Sequence, residues 1–447
     1  MRGKKLIGVL CLLLAFSCSK DNRFEFTEEA REGVQRPAGT ERSAGEESRH
    51  VVIMVSVGYN SLSGYLKEDI ETLLRSELPP KGRMQHQLVI FSRISERNGM
   101  LAGPAPSPVL YSVYKDLDGQ LVKDTLKVWD ATAQMCDPLV FREGLELVRD
   151  LIPAKSYGMV YSSHASGWLP EGYFNDPSAY EREHGGNSQD SGDFLFSPAK
   201  RRNPLQEEFP PIPAYPAVKS IGQDTDTGHY REMELSAMCQ AIPMHLDYLL
   251  LDACMCGCIE VASEFQEKVD IVGFSPTEVM ADGFNYETLT SRLLCSNPDP
   301  VAVCQDYFEQ YEKKTGVYRS ATITAVDTRK LGPLTLLCKE LFQKYHSQLT
   351  TMPDTGVQPY FRFNRHYFYD LKDILVHAGI TPDEEAALDQ ALEACVLYKA
   401  ATPSFMDSFQ LLHVCGFSMY LPSMGTDLLD SFYKKNLAWN HATQLIQ

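Results

Sequence analysis

The chain has 447 residues, 44% of them hydrophobic and 23% charged, and its 59 acidic and 42 basic side chains give a formal net charge of −17. This acidity excludes counterion-driven binding to nucleic acid and charge-driven adsorption to anionic membranes. No run beyond the amino terminus reaches the roughly 20 apolar residues a membrane helix needs, and the length suffices for a large core spread over two domains.

The amino terminus has the form of a targeting segment. Arg2, Lys4 and Lys5 precede the apolar run Leu6–Phe16, which is too short to span a bilayer and is shaped like a secretory signal. It ends in Ala15-Phe16-Ser17-Cys18, which resembles a bacterial lipobox. Residues 1–17 are therefore expected to be a lipoprotein signal peptide and Cys18 the lipidated residue; an uncleaved anchor or an ordinary signal peptide is the alternative. Loss of that segment removes three cations and takes the net charge to −20. The expected location is the bacterial cell envelope, as an outer-membrane or cell-surface lipoprotein, and Ser19-Lys20-Asp21-Asn22 points the same way. Residues 18–48, rich in Glu, Arg, Gly and Ser, are expected to be a disordered linker.

From residue 50 onward strands and helices alternate. Val51–Val57 is a continuous apolar strand, and Tyr59-Asn60-Ser61 opens a helix reaching about Leu74. Leu88–Ser92 is a second strand, Val109–Tyr114 and Leu121–Val128 a hairpin turning at Asp118-Gly119, and Asp137-Pro138 starts a helix through Asp150. The strand Tyr157–Ser163 delivers His164, and the long irregular stretch Leu169–Lys219, carrying Lys200-Arg201-Arg202, follows. Glu232–Ala241 is a helix, Leu246–Leu251 a strand delivering Asp252 and Cys254, and Cys256–Gln266 a helix. Asp270–Phe274 and Ala321–Val326 are further strands, with helices at Phe284–Leu294 and Val301–Lys313. Apolar, non-alternating strands of this kind predict an α/β fold, a three-layer sandwich on a mostly parallel sheet over residues 49–330. Residues 331–447, dominated by helical patterns at Leu331–His346, Tyr367–His377 and Pro382–Lys399, predict a smaller, mainly helical C-terminal domain.

Two strand ends carry reactive side chains. A thiol at Cys254 and an imidazole at His164, both at carboxyl ends of predicted parallel strands, are the arrangement a cysteine nucleophile with a histidine base requires. A cysteine entering a helix lies near N–H groups that lower its pKa, and those amides with the ones after His164 would bind an oxyanion. Inert burial of both residues is the competing account. Cys254-Met255-Cys256-Gly257-Cys258 also raises metal or redox chemistry, but no second Cys or His pair stands at zinc spacing, so no metal is assigned.

The segments Tyr157–Trp168 (YGMVYSSHASGW) and Leu246–Phe265 (LDYLLLDACMCGCIEVASEF) resemble the catalytic-histidine and Asp-Ala-Cys segments of the clostripain family of cysteine peptidases. Tyr59–Leu62, Ser220–Asp224, Tyr369–Leu371, Gly416–Pro422 and Trp439 are similar to other parts of that family. The resemblance implies a caspase-like α/β/α sandwich and an endopeptidase cleaving after Arg or Lys in protein and peptide substrates, with His164 as base and Cys254 as nucleophile; with the lipobox at Cys18, the expected protein is a secreted, lipid-anchored enzyme of this kind. It implies Asp252 as the carboxylate that binds the P1 cation, with Asp282 and Glu278 as candidates for a second pocket wall; a helix N-cap is the alternative for Asp252. The oxyanion donors would be the Ala165 and Cys254 amides, although Ala165 stands where the family has glycine and a positive φ there would be strained. Lys200, Arg201 and Arg202 fit a self-processing site or, equally, a solvated basic patch. No cofactor is assigned; calcium, which some relatives use, finds no EF-hand-like loop here. The alternative function is a catalytically inactive surface protein that binds basic peptides.

Overall fold

The computed structural model describes residues 48–78, 86–95, 105–174, 177–183, 224–226, 229–295, 297–362 and 367–447. The signal segment, Cys18, nearly all of the linker and the Lys200-Arg201-Arg202 run lie outside these residues. The chain divides into Met1–Glu41, also outside them, and Arg42–Gln447, which carries every described element.

The centre of the fold is a nine-stranded sheet. Its strands are β1 (Ser48–Gly58), β2 (His86–Ile94), β3 (Val109–Lys115), β4 (Leu121–Val128), β5 (Ala154–Ser162), then, after the small hairpin β6 (Asp224–Asp226) and β7 (His229–Arg231), β8 (Leu246–Asp252), β9 (Val269–Phe274), β10 (Thr322–Asp327) and, past the two-residue β11 (Tyr369–Asp370), β12 (Val396–Ala401). They lie in the order β12-β10-β9-β8-β5-β1-β2-β3-β4. The five strands from β9 to β2 run parallel, while β3, β4, β10 and β12 join antiparallel. The middles of the parallel strands are mostly apolar and non-alternating, as in a sheet covered on both faces. Val51, Val52, Ile53, Met54 and Val55 of β1 are all fully buried. β4, at the edge, is exposed on alternate positions and carries Lys123, Asp124 and Lys127, charges that discourage pairing with another chain.

Several expectations change in the C-terminal part. The helix Pro382–Cys395, closed at its start by a Thr381–Glu384 capping box, stops before Val396, and Val396–Ala401 becomes the edge strand β12. A run of Val, Leu and Tyr suits a half-buried strand better than another helical turn. The region after residue 330 therefore shares the main sheet, and Arg42–Gln447 forms one compact unit. The remaining strands are the hairpin β13 (Ser404–Phe405) and β14 (Phe409–Gln410), and β15 (Ser418–Met419), which pairs β11.

At the amino ends of the parallel strands, the ring nitrogens of His50 hydrogen-bond Ser156 Oγ at 2.7 Å and Tyr248 Oη at 2.9 Å, tying β1 to β5 and β8. The Tyr248 ring crosses β5 at Gly158, where a Cβ would sit 1.9 Å from the ring, so only glycine fits. Burial, with the nearby His86 adding, lowers the His50 pKa from 6.5 to about 4. The unfolded imidazole takes up its proton first as pH falls, so the folded state's advantage is intact above about pH 6.5 and shrinks toward pH 4. Chemical denaturation at pH 7 and pH 5 should show wild type losing about 1–2 kcal/mol more on acidification than His50→Gln.

Candidate functional site

Chain direction sets the place. From β1 the chain moves to β2 on one side, and it later returns to β5 on the other, which opens a crevice at the carboxyl ends of β1 and β5. Asn60 shapes the turn leaving β1: its side chain donates to Val57 O at 3.1 Å and accepts from the Leu62 N–H at 2.8 Å. This leaves Ser61 exposed at the crevice, where its Oγ lies 3.2 Å from His164 Nε2. Ser163 Oγ donates to Val57 O at 3.0 Å and pins the His164 loop to the end of β1.

β5 and β8 are adjacent and parallel, with Ser162 paired to Asp252. His164 and Cys254 each stand two residues beyond that last pair, just past the ends of adjacent strands. Both are 1% exposed. The two loops also interlock. Gly167 (φ +62°) packs so closely on the Cys254 loop that a Cβ there would lie 2.6 Å from Met255 O, and Met255 itself is left-handed at φ +59°. Ala165 has no positive φ; the left-handed positions are Gly167 and Met255, so alanine after the histidine is unstrained.

The surroundings of the sulfur differ from the sequence-based expectation. The helix starts only at Ile259, with Cys258 as its N-cap, so its N-terminus does not adjoin Cys254. Residues 254–257 instead run beside 275–279: the Met255 N–H donates to Thr277 O at 3.0 Å and the Gly257 N–H to Ser275 O at 2.7 Å. Gly257 is pressed against Pro276, where a Cβ would be 2.2 Å from the Pro276 nitrogen, and the close approach prevents the chain from coiling earlier. The Val279 N–H lies 3.0 Å from Cys254 Sγ, and the thiol points back at Val279 O at 3.7 Å. Burial pushes the Cys256 thiol up to about 12 and raises the Cys258 thiol well above its ordinary value, which suits packed rather than reactive sulfurs.

Asp252 is fully buried, and its Oδ2 accepts from Ser162 Oγ at 2.8 Å and Tyr286 Oη at 2.7 Å. It is not the N-cap of the following helix, a place that Cys258 takes. Asp282 is more than half exposed and is paired with Lys314 at 3.0 Å. Lys314 also lies over the Tyr311 ring, and Tyr311 Oη donates to Gly283 O at 3.0 Å. Glu278 is buried in a two-pronged ion pair with Arg362. Ser61, Val279, Tyr286 and Arg362 join the site only through the fold. Only Ser61, in the strand-to-helix turn already singled out, carried a local signal.

The C-terminal segments brace this centre. The Ser418 N–H donates to Gly257 O at 2.9 Å, and Glu260 accepts from the Tyr420 N–H at 2.9 Å and Tyr433 Oη at 2.6 Å. Burial pushes the Glu260 carboxyl up to about 7, those hydrogen bonds opposing it. Trp168, 1% exposed, packs on Tyr420 and Tyr433 with ring centroids 4.8 and 5.1 Å away.

The arrangement can be set beside known proteins. The family described as the clostripain family, peptidase C11, matches residues 213–437. An inactive zymogen C11 protease from Parabacteroides distasonis is 23% identical, with 89% of this chain and 99% of that one covered at a TM-score of 0.67. A secreted C11 cysteine protease from Bacteroides thetaiotaomicron, solved with an irreversible peptide inhibitor, is 20% identical over 89% and 99% at a TM-score of 0.66. At these identities the likeness establishes the fold. No curated protein matches the chain.

Proposed function

Because this chain belongs to the clostripain family of cysteine proteases, we propose that it is an endopeptidase in which Cys254 is the nucleophile and His164 the base. The observation that carries this is the pairing of Ser162 with Asp252, from which both loops emerge on adjacent strands, beside the crevice at the ends of β1 and β5. His164 takes the thiol proton, the Cys254 thiolate adds to the scissile carbonyl, and the Ala165 and Cys254 amides stabilise the oxyanion. His164 then gives its proton to the leaving amine, and a water deprotonated by His164 hydrolyses the thioester and releases the thiol.

The preference is for Arg or Lys at P1, with Asp252 as the buried anion that the substrate's cation meets. Asp282, the candidate for a second pocket wall, is exposed and already engaged by Lys314. The Cys254 and His164 side chains are both closed off, which suits an uncut, latent chain. Cleavage at Lys200-Arg201-Arg202, a sequence meeting the same P1 rule, would release it. The mature enzyme is held at the cell surface by a lipid on Cys18. Among the described residues no helix is long and apolar enough to cross a membrane.

A peptidyl-arginine acyloxymethyl ketone tests the assignment. One equivalent should attach to Cys254, located by peptide mass mapping, and a citrulline analogue should label about tenfold or more slowly. Labelling of a different cysteine, or equal labelling by both reagents, would overturn the nucleophile or the P1 assignment respectively.

A further inference from the structure

We propose that the buried ion pair of Glu278 and Arg362 is a positioning device that seats the Val279 N–H on the Cys254 sulfur and so favours its thiolate. The proposal rests on Cys254 being the nucleophile. Glu278 Oε2 accepts from Arg362 Nε at 2.7 Å and Oε1 from Nη2 at 3.0 Å, and the two side chains are only 1% and 3% exposed. The next residue's N–H is the donor 3.0 Å from Sγ. One residue before Glu278, Thr277 accepts from the Met255 N–H through its carbonyl and donates its own N–H to Thr322 Oγ1 at 3.1 Å. The segment leading into that amide is thus anchored twice in succession: by β10 through Thr322 at Thr277, and by the C-terminal region through Arg362 at Glu278.

Three physical points favour positioning over simple stability. A buried ion pair loses much of its Coulomb energy to desolvation, so its net contribution to folding is small, whereas its planar two-pronged geometry fixes orientation tightly. A hydrogen bond donated to the charged form of an acid favours that form. The thiolate, not the thiol, is the attacking species. The two opposite charges largely cancel at a distance, so the pair acts on the sulfur through the placement of the Val279 amide.

The test uses the active enzyme and iodoacetamide, with alkylation at Cys254 quantified by peptide mass mapping from pH 5 to 10. Arg362→Lys keeps the charge and loses the fork, while the double variant Glu278→Gln with Arg362→Gln leaves net charge unchanged. In both, Cys254 should react about tenfold more slowly near pH 6.5 and converge with wild type at high pH, the midpoint rising by about one unit. Turnover of an arginyl amide should fall about tenfold with KM within twofold. An unchanged Cys254 pH profile, even with lowered thermal stability, would overturn the proposal. So would a rise in KM alone, which would make Glu278 a pocket wall. If the double variant does not fold, Arg362→Lys decides. Failure of the nucleophile assignment shows separately, as wild-type activity that survives complete alkylation of Cys254.

Discussion

A Cys254→Ala protein should hydrolyse arginyl amides at least about 10⁴-fold more slowly than wild type, with its thermal midpoint moved by only a few degrees. Removing one member of a nucleophile–base unit costs about as much as removing the whole unit, because the remaining member has nothing to act on. His164→Ala should therefore show a loss of similar size, and the double variant little more. The structural cost is small. Cys254 is packed at 1% exposure, and alanine removes one sulfur atom from its place against Val279. The Val279 N–H then loses its acceptor, a penalty of about 1–3 kcal/mol. Steady-state rates with an arginyl-amide substrate and a thermal melt suffice. Hydrolysis undiminished by the substitution would leave the dyad untenable. Cys256→Ala is the internal control, since a buried thiol raised to about 12 should contribute nothing to turnover.

Asp252→Asn should reduce kcat/KM for an arginyl substrate about 10²–10³-fold and leave a citrullinyl substrate within a few-fold of its wild-type rate. The size follows from leaving a desolvated guanidinium without its counter-charge, which costs roughly 2–5 kcal/mol. Asparagine is isosteric, and its carbonyl oxygen can still accept from Ser162 Oγ or Tyr286 Oη, so the folded protein should persist. The ratio of the two substrates is the decisive readout. If Asp252 only ties β5, β8 and Tyr286 together, both substrates suffer equally and the melting temperature falls. Tyr286→Phe extends the argument: it removes a donor to the carboxylate without touching its charge, so selectivity for arginine should persist.

Much of the architecture was legible from periodicity. Val51–Val57, Leu88–Ser92 and Leu246–Leu251 are mostly apolar and do not alternate, as expected of strands covered on both faces. They lie in β1, β2 and β8. The strand at Val396–Ala401 has no local mark because the helical pattern Pro382–Cys395 runs directly into it with no Gly or Pro between. Cys256–Cys258 reads as the start of a helix for a different reason: small residues are compatible with a helical turn. What stops the turn is the close contact of Gly257 with Pro276, nineteen positions away and invisible to a local pattern.

The site divides along the same physical line. His164, Asp252 and Cys254 could be picked out in the linear chain because each is a reactive group ending a strand-like run, and strand periodicity is a local property. Folding alone decided that Ser162 faces Asp252, that Ser61 reaches the His164 ring, and that the donor on Cys254 is the Val279 amide rather than a helix end. It also decided that Arg362, 84 positions from Glu278, closes the ion pair behind that amide. Backbone N–H groups have no residue-type signature, and a buried ion pair depends on which loops the sheet order brings together. Local chemistry can therefore name the reacting atoms, but only long-range packing can say what holds them.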